Sequence, residues 1–173
     1  KYTRSFRVEI ESMNLDISEN HMMLGYSPLL IGIPMNTESS DEYIRLNFLA
    51  NEKVIAFIRM KKINTIKAGN TILHVYEGIK AKHEFIPEFS KLLFGLRHYI
   101  RSLRKGNVRL KGIMYDQVRA AYSVPREISI VTTGQPGFYN TFPTDLHGRI
   151  NEEYYADSLR SSGNAGKQVE DSG

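Results

Sequence analysis

A row of hydroxyl, amide and imidazole groups follows an apolar stretch within residues 125–148. The pattern over 127–133 is typical of a strand, and this strand runs into a glycine-containing turn at 135–137. Beyond the turn come Asn140, Thr144 and further polar residues. A buried strand that ends in polar side chains and glycines offers a rigid edge with hydrogen-bond donors, as in many sites for phosphate-bearing cofactors. We therefore expect any ligand site of this chain in this segment.

His147 is a candidate for proton transfer, because Asp145 and Gly148 flank it. A neighbouring carboxylate can orient an imidazole as a proton donor. A single histidine in a loop also serves as a surface or hydrogen-bonding residue, so both interpretations stay open. The other histidines are scattered along the chain, at His21, His74, His83 and His98. Their positions do not have the spacing of metal ligands, so we expect no metal site.

Composition limits the class of protein. The chain has 173 residues, of which 41% are hydrophobic, enough for one generous domain or two small ones. It has no cysteine, which excludes disulfides, thiolate metal sites and a cysteine nucleophile and fits a reducing cytoplasm. The longest apolar run, 29–33, is far shorter than the roughly 20 residues that span a bilayer. We expect a globular, cytoplasmic protein without a membrane segment or an export signal.

The first 80 residues are predicted to form mainly strands. Phe6, Val8 and Ile10 alternate with charged residues, which is typical of a strand with one buried face. Five strands are expected, over residues 4–10, 29–33, 43–49, 54–63 and 71–79. Their short spacing indicates meander-like antiparallel pairing.

After Pro87 the apolar residues no longer recur at every second position but at every third or fourth position. The apolar residues that recur at helical spacing are Phe89, Leu92, Leu93, Leu96, Ile100 and Leu103. With Lys105-Gly106 as a stop signal, they predict one long amphipathic helix over about 87–105. A shorter helix is expected over 114–122, because Pro125 disfavours helix in the residue before it. Residues 152–159 suit either a helix or a strand.

Several motifs after residue 124 match those of a known family. Pro125-Arg126 and the run 128–133 have the form Pro-Arg-x-apolar-x-apolar-Val-Thr-Thr, and Gly137 follows in a turn. The element Asn140 to Thr144 has the form Asn-x-x-Pro-Thr, and Ser158-Leu159-Arg160 has the form Ser-x-Arg. In these motifs residues 125–173 resemble the first part of the flavin reductase-like, FMN-binding split-barrel family.

The resemblance implies a site for FMN. The side chains that it assigns to the cofactor are Thr132, Thr133, Asn140, Thr144, Ser158 and Arg160. A flavin also needs an apolar slot, for which Phe142, Tyr139 or Tyr155 can supply a flat wall. The resemblance further implies a homodimer, a small-molecule redox partner and NAD(P)H as the electron donor, with the redox chemistry supplied by the flavin.

The chain departs from the family in two places. Asn164-Ala165-Gly166-Lys167 stands where the family has Lys/Asp-Thr and a helix, so one phosphate hydroxyl is absent unless Lys167 replaces it. The later barrel strands are expected beyond Gly173, and the family does not account for residues 1–122. We expect a strand-rich N-terminal region over 1–122 and the start of the barrel over 123–173. The fold class is therefore predicted as α+β, mainly β, with an antiparallel split barrel.

Two alternatives stay open. Residues 125–148 can be a plain strand pair, because threonine is itself a strand former. The second alternative is that the chain is a non-enzymatic binding module, with a basic face in 97–111 that contacts an acidic partner or nucleic acid. That stretch holds no acid and six cations, Arg97, Arg101, Arg104, Lys105, Arg109 and Lys111. The net charge of only +4 argues against dedicated nucleic-acid binding.

Overall fold

The computed structural model describes residues 5–36, 41–84, 87–102, 110, 112–135, 137–159 and 164–172. The strands are β1 (Phe6–Ile10), β2 (Leu15–Asp16), β3 (Met22–Tyr26), β4 (Leu29–Met35), β5 (Tyr43–Ala50), β6 (Lys53–Ala68), β7 (Thr71–His83), β8 (Ser129–Gln135), β9 (Phe138–Thr144), β10 (His147–Arg149) and β11 (Tyr155–Asp157). The helices are α1 (Glu88–Ser102), α2 (Ile113–Ala121) and α3 (Asn164–Ser172), and a 3-10 turn covers Glu11–Met13. The fold is mainly β, as predicted.

A seven-stranded antiparallel sheet forms the body of the fold, in the order β2-β1-β5-β6-β7-β4-β3. The five strands expected in this region are confirmed, and β5, β6 and β7 pair consecutively as in a meander. The predicted simple meander is wrong for the rest, because β1 pairs with β5 and β4 pairs with β7. Within the described residues the sheet is open, so closure into a barrel stays a prediction.

Apolar residues at every second position of β5 and β6 point to one face of the sheet and form the core. Leu46 and Phe48 of β5 point to the same face as Ile58 of β6, and all three are almost fully buried. Arg45, which precedes Leu46, and Arg59, which follows Ile58, lie on the opposite face. The two faces of these strands are thereby divided between the core and the surface.

Helix α2 covers the core face of the sheet. Ala120 and Ala121 are buried in the same hydrophobic cluster as the strands, and Val124 joins them just after the helix. Gly78 of β7 makes close approach possible, since a Cβ there would lie 3.0 Å from the side chain of buried Gln117. Because Val124 shares this core, α2 and the start of the following segment are anchored to the sheet. The domain boundary expected near residue 122 stays a prediction.

A second, smaller hydrophobic cluster involves β10 and β11. Its buried members are Met22, Leu73 and Val75, and the partly buried Ile150 and Ala156 pack against them. The short strands β10 and β11 pair with each other and form a sheet of their own. The cluster thereby fixes the β10–β11 hairpin on β3, which positions the residues between β9 and β10.

Helix α1 is present as predicted, but its apolar residues do not pack on the sheet. Phe89, Leu92 and Leu96 are 72%, 71% and 58% exposed. The ring of Phe94 has the guanidinium of Arg119 at 5.4 Å from its centroid. The amphipathic face of α1 is therefore largely solvent-exposed in this chain.

The remaining elements show where the sequence was ambiguous. The second helix was expected over 114–122 and covers Ile113–Ala121. Residues 152–159 contain the strand β11, and the tail contains α3. Within the described ranges, no helix has both the length and the apolar character needed to cross a membrane.

Candidate functional site

The β8–β9 hairpin carries most of the predicted ligand-binding residues. On β9, Asn140, Phe142 and Thr144 alternate with Tyr139, Thr141 and Pro143, so the first three share one face. That face, with the segment after β11, borders a cavity of about 390 Å³, which we call the Asn140 cavity. It is lined by Tyr26, Asn140, Phe142, Pro143, Thr144, Asp145, Leu146, Ser158, Leu159 and Ala165. Its volume lies within the range of small-molecule sites.

Three of the six residues assigned to the cofactor meet in the Asn140 cavity. Asn140 and Thr144 come from β9, and Ser158 follows β11. The hydroxyl of Thr144 accepts a hydrogen bond from the backbone N–H of Leu146 at 3.1 Å, which leaves its own proton free to be donated. The backbone N–H of Ser158 donates to the carbonyl of Leu146 at 2.9 Å. These contacts tie the two ends of the cavity together through Leu146.

Two of the other assigned residues, Thr132 and Thr133, do not line this cavity. Thr132 is exposed, and its hydroxyl lies 3.1 Å from that of Thr141. Thr133 donates a hydrogen bond of 2.9 Å to the side-chain oxygen of Gln168 on α3. Arg160 lies outside the described residues. Of the proposed aromatic walls, Phe142 lines the Asn140 cavity, whereas Tyr139 is 63% exposed.

Asp145 stands at the wall between this cavity and a second one. Its carboxylate accepts hydrogen bonds from the hydroxyls of Tyr26, at the end of β3, and Tyr122, just after α2. Burial alone would raise the pKa of Asp145, but hydrogen bonds from Tyr122 and Tyr26 and the charge of Arg126 outweigh it and hold the pKa below its ordinary value of 3.8. Asp145 is therefore ionised at neutral pH.

The pKa values of Tyr26 and Tyr122 are shifted in the opposite direction, upwards. Burial and the hydrogen bond to Asp145 raise the pKa of Tyr122 above its ordinary value of 10.0, and the same two causes raise that of Tyr26. Both hydroxyls therefore keep their protons and act as donors at neutral pH. The cluster joins β3, α2 and the β9–β10 connection, which are far apart in sequence.

Arg126 lies beside this cluster. Its guanidinium carbon is 5.4 Å from the centroid of the Tyr122 ring. Burial lowers the pKa of Arg126, and the neighbouring Tyr122 and Asp145 oppose this effect. The Nε atom of Arg126 is buried and has no hydrogen-bond partner among the described residues. A buried N–H group that lacks an acceptor and lies at a cavity wall can donate a hydrogen bond to a ligand.

The second cavity, which we call the His147 cavity, has a volume of about 570 Å³. It is lined by Ser18, Glu19, His21, Pro125, Arg126, Glu127, Asp145, His147, Gly148, Arg149 and Tyr155. Asp145 borders both cavities. Burial lowers the pKa of His21, which keeps that imidazole neutral at pH 7.

His147 is held by Tyr155 and not by Asp145. The hydroxyl of Tyr155 contacts Nδ1 of His147, and the two rings stack with centroids 5.7 Å apart. The expectation that the neighbouring carboxylate orients this imidazole is therefore wrong, because Asp145 turns to the two tyrosines. His147 is only 7% exposed, and its Nε2 atom has no hydrogen-bond partner among the described residues. That nitrogen is available to a ligand in the cavity.

Gly148 lets β10 approach β3 closely. A Cβ at this position would lie closer than 3.0 Å to Cβ of Met22, a separation that real Cβ atoms do not show. The pairing of β10 with β11 places Arg149 opposite Tyr155 and His147 opposite Asp157. The glycine thereby fixes the position of His147.

Sequence patterns do not reveal all of the site. Tyr26 and Tyr122 were missed because they lie 119 and 23 residues from Asp145, without a shared motif. The described residues contain no group of three or more metal-ligating side chains. Of the basic face in 97–111, Arg97 lies on α1 and is exposed, whereas Arg104, Lys105, Arg109 and Lys111 lie outside the described residues.

No protein-family model matches the chain, and no curated protein matches it. Among solved structures, the chain is similar to flavin reductase PheA2 in its native state, with a TM-score of 0.36 and 12% identity, over 50% of this chain and 82% of that chain. Likeness at this level carries no ligand, reaction or residue role over to this chain.

Proposed function

We propose that this chain binds FMN non-covalently in the Asn140 cavity. The observation that carries the proposal is the convergence of Asn140, Thr144 and Ser158 beside the ring of Phe142 in one cavity of about 390 Å³. FMN needs hydrogen-bond partners for its phosphate and ribityl chain and an apolar surface for its ring system. The polar and aromatic side chains of this cavity meet both needs.

A bound flavin would supply the electron and hydride chemistry, and the residues of this chain would bind and orient it. The amide of Asn140 and the hydroxyls of Thr144 and Ser158 are the donors that face the ligand. Asp145 stays ionised and holds the hydroxyl of Tyr26 at the cavity wall. Since a carboxylate repels a phosphate, we expect the flavin phosphate at the Ser158 end and not beside Asp145.

An FMN titration followed by absorbance and fluorescence tests this proposal. Asn140→Ala and Ser158→Ala should each weaken binding by about 5- to 10-fold, the value of one hydrogen bond of about 1 to 1.4 kcal/mol. Thr132→Ala is the matched control, because this exposed hydroxyl bonds to Thr141 outside the cavity. No FMN binding, or an equal loss in all three variants, would rule out the site.

We further propose that NAD(P)H donates electrons to the flavin from the His147 cavity. Support comes from the shared wall at Asp145. Arg126 and Arg149 can pair with the phosphates of a dinucleotide, although Glu19, Glu127 and Asp145 also line this cavity. The free Nε2 of His147 is the group that would contact it. With FMN bound, His147→Gln should raise the KM for NAD(P)H and leave FMN affinity unchanged. Oxidation of NAD(P)H that is unaffected by this change would contradict the assignment.

We also propose that the chain forms a homodimer through α1. Large exposed apolar patches mark interaction surfaces, and Leu92 and Leu96 are more than half exposed on this helix. Light scattering coupled to size exclusion should give twice the mass of the chain, and Leu92→Glu together with Leu96→Glu should give the monomer. A monomeric wild type would refute this proposal.

A further inference from the structure

Three cations lie side by side on the outer face of the large sheet. Arg45 of β5 pairs in register with Arg59 of β6, which in turn pairs with Lys80 of β7. Side chains directly opposite each other on neighbouring strands are about 4.5–5.5 Å apart at Cβ, and like charges in these positions are destabilising. This row therefore costs stability in the free protein.

Acidic partners offset only part of this charge. Arg45 forms an ion pair with Glu11 at 3.3 Å. Within the described residues, neither Arg59 nor Lys80 has an ion pair with an acidic side chain. The flanking cations are different, since Lys61 pairs with Glu42 at 3.6 Å and Lys82 with Glu84 at 2.9 Å. The unneutralised charge is therefore that of Arg59 and Lys80, the centre and one end of the row.

A β-bulge places Lys80 in the row. Arg59 pairs with Lys80 whereas the next residue, Met60, pairs with Gly78, so Ile79 is an extra residue on β7. In a regular strand, residues two apart share a face, and Lys80 would then point with Gly78 towards α2. Bulges re-aim side chains in this way and are frequent beside functional sites.

The row borders a third cavity, of about 500 Å³, which we call the Arg59 cavity. It is lined by Glu11, Ser12, Tyr43, Ile44, Arg45, Phe57, Arg59 and Lys80. The guanidinium of Arg45 lies 4.1 Å from the centroid of the Phe57 ring, and its Nε is buried without a hydrogen-bond partner among the described residues. Phe57 thus fixes this guanidinium at the cavity.

We propose that the Arg59 cavity binds a small phosphorylated molecule through a group with two or more negative charges. Three cations and one acid, Glu11, give the lining a net charge of +2, which a phosphate monoester of about −1.5 to −2 neutralises. Phosphate oxygens accept charge-assisted hydrogen bonds from guanidinium and ammonium groups. Binding also relieves the repulsion along the row. The site is independent of the proposed flavin site.

The experiment uses inorganic pyrophosphate as the probe at constant ionic strength, with the melting temperature and calorimetric affinity as readouts. Pyrophosphate should raise the Tm of the wild type, and Arg59→Gln or Lys80→Gln should weaken binding about tenfold or more. Lys82→Gln is the matched control, because it removes the same charge from the same strand but from outside the cavity. Without ligand, Arg59→Gln should melt at the same temperature as the wild type or higher, because repulsion is relieved.

Three results would overturn the proposal. One is a wild-type Tm that pyrophosphate does not change. Another is an equal loss of affinity in Lys82→Gln and Arg59→Gln, which would indicate unspecific attraction. The third is binding of a single-stranded oligonucleotide without binding of pyrophosphate, which would make the face a nucleic-acid surface. Arg59→Gln should leave the FMN titration unchanged, so the two sites are tested separately.

Discussion

Replacing Gly148 with alanine should destabilise the protein through a clash that side-chain rotation cannot relieve. The new Cβ would lie within 3.0 Å of Cβ of Met22 and 3.1 Å from its Cε, whereas ordinary contact begins at 3.4 Å. Cβ is fixed to the backbone, so β10 and β3 must move apart. Overpacking of this kind costs about 1–3 kcal/mol. The lower chain entropy of the unfolded alanine variant offsets about 0.4–1 kcal/mol of this cost. Because the clash joins two Cβ atoms, we expect a cost in the upper half of the overpacking range and a net loss of about 1–2.6 kcal/mol.

Urea unfolding followed by circular dichroism measures this loss as a lower midpoint at an unchanged slope. Gly95→Ala is the matched control, because a Cβ at Gly95 in α1 meets nothing within 4 Å. That change should stabilise the protein by about 0.5–1 kcal/mol, as alanine does in a helix interior. If Gly148→Ala unfolds within about 0.5 kcal/mol of the wild type, the close packing of β10 on β3 is refuted.

Three further predictions concern pH and packing. Because the pKa of Asp145 is lowered in the folded state, its ionised carboxylate stabilises the protein above the ordinary pKa of 3.8. This stabilisation is lost as the pH falls through the lower pKa of the folded state. When the free energy of unfolding is measured against pH in acid, Asp145→Asn should therefore lose less stability than the wild type. The raised pKa of Tyr26 means that stability falls as pH rises above 10.0, because the unfolded tyrosine ionises first. Alkaline unfolding of Tyr26→Phe should show a smaller decline than that of the wild type, and an equal decline would refute the cause. Leu46→Ala should cost about 2–5 kcal/mol in urea unfolding, because Leu46 is fully buried; a loss below about 1 kcal/mol would contradict the core assignment.

Local patterns predicted most of the sheet and two helices. The strand β1 alternates apolar and charged residues, and α1 repeats its apolar residues at helical spacing. The strand β3 was missed because its apolar run, Met22 to Leu24, is short and ends at Gly25. The order of strands was also beyond local patterns, since β1 and β4 join the sheet beside strands distant in sequence.

The candidate site was predicted in part for the same reason. The resemblance assigned Asn140 and Thr144 to one site, and they lie together because residues at even spacing on β9 share a face. Thr133 lies opposite Asn140 in the strand register and faces the same side, but its hydroxyl donates a hydrogen bond to Gln168 on α3. No pattern in the tail predicted α3, so this competition was not foreseen. The contacts of Asp145 with Tyr26 and Tyr122 depend on tertiary packing, which spacing along the chain does not encode.

The long β6–β7 hairpin has a consequence for how the chain folds. Its strands meet at a tight turn, where Ala68 pairs with Thr71 and Gly69 adopts a φ of +60°. A hairpin of this kind forms in about 1–10 μs. By contrast, Phe6 pairs with Ala50 and Met35 with Ile72, and these pairings require closure of long loops. We therefore expect the hairpin to be the template on which the outer strands assemble, with their docking as the slow step of refolding.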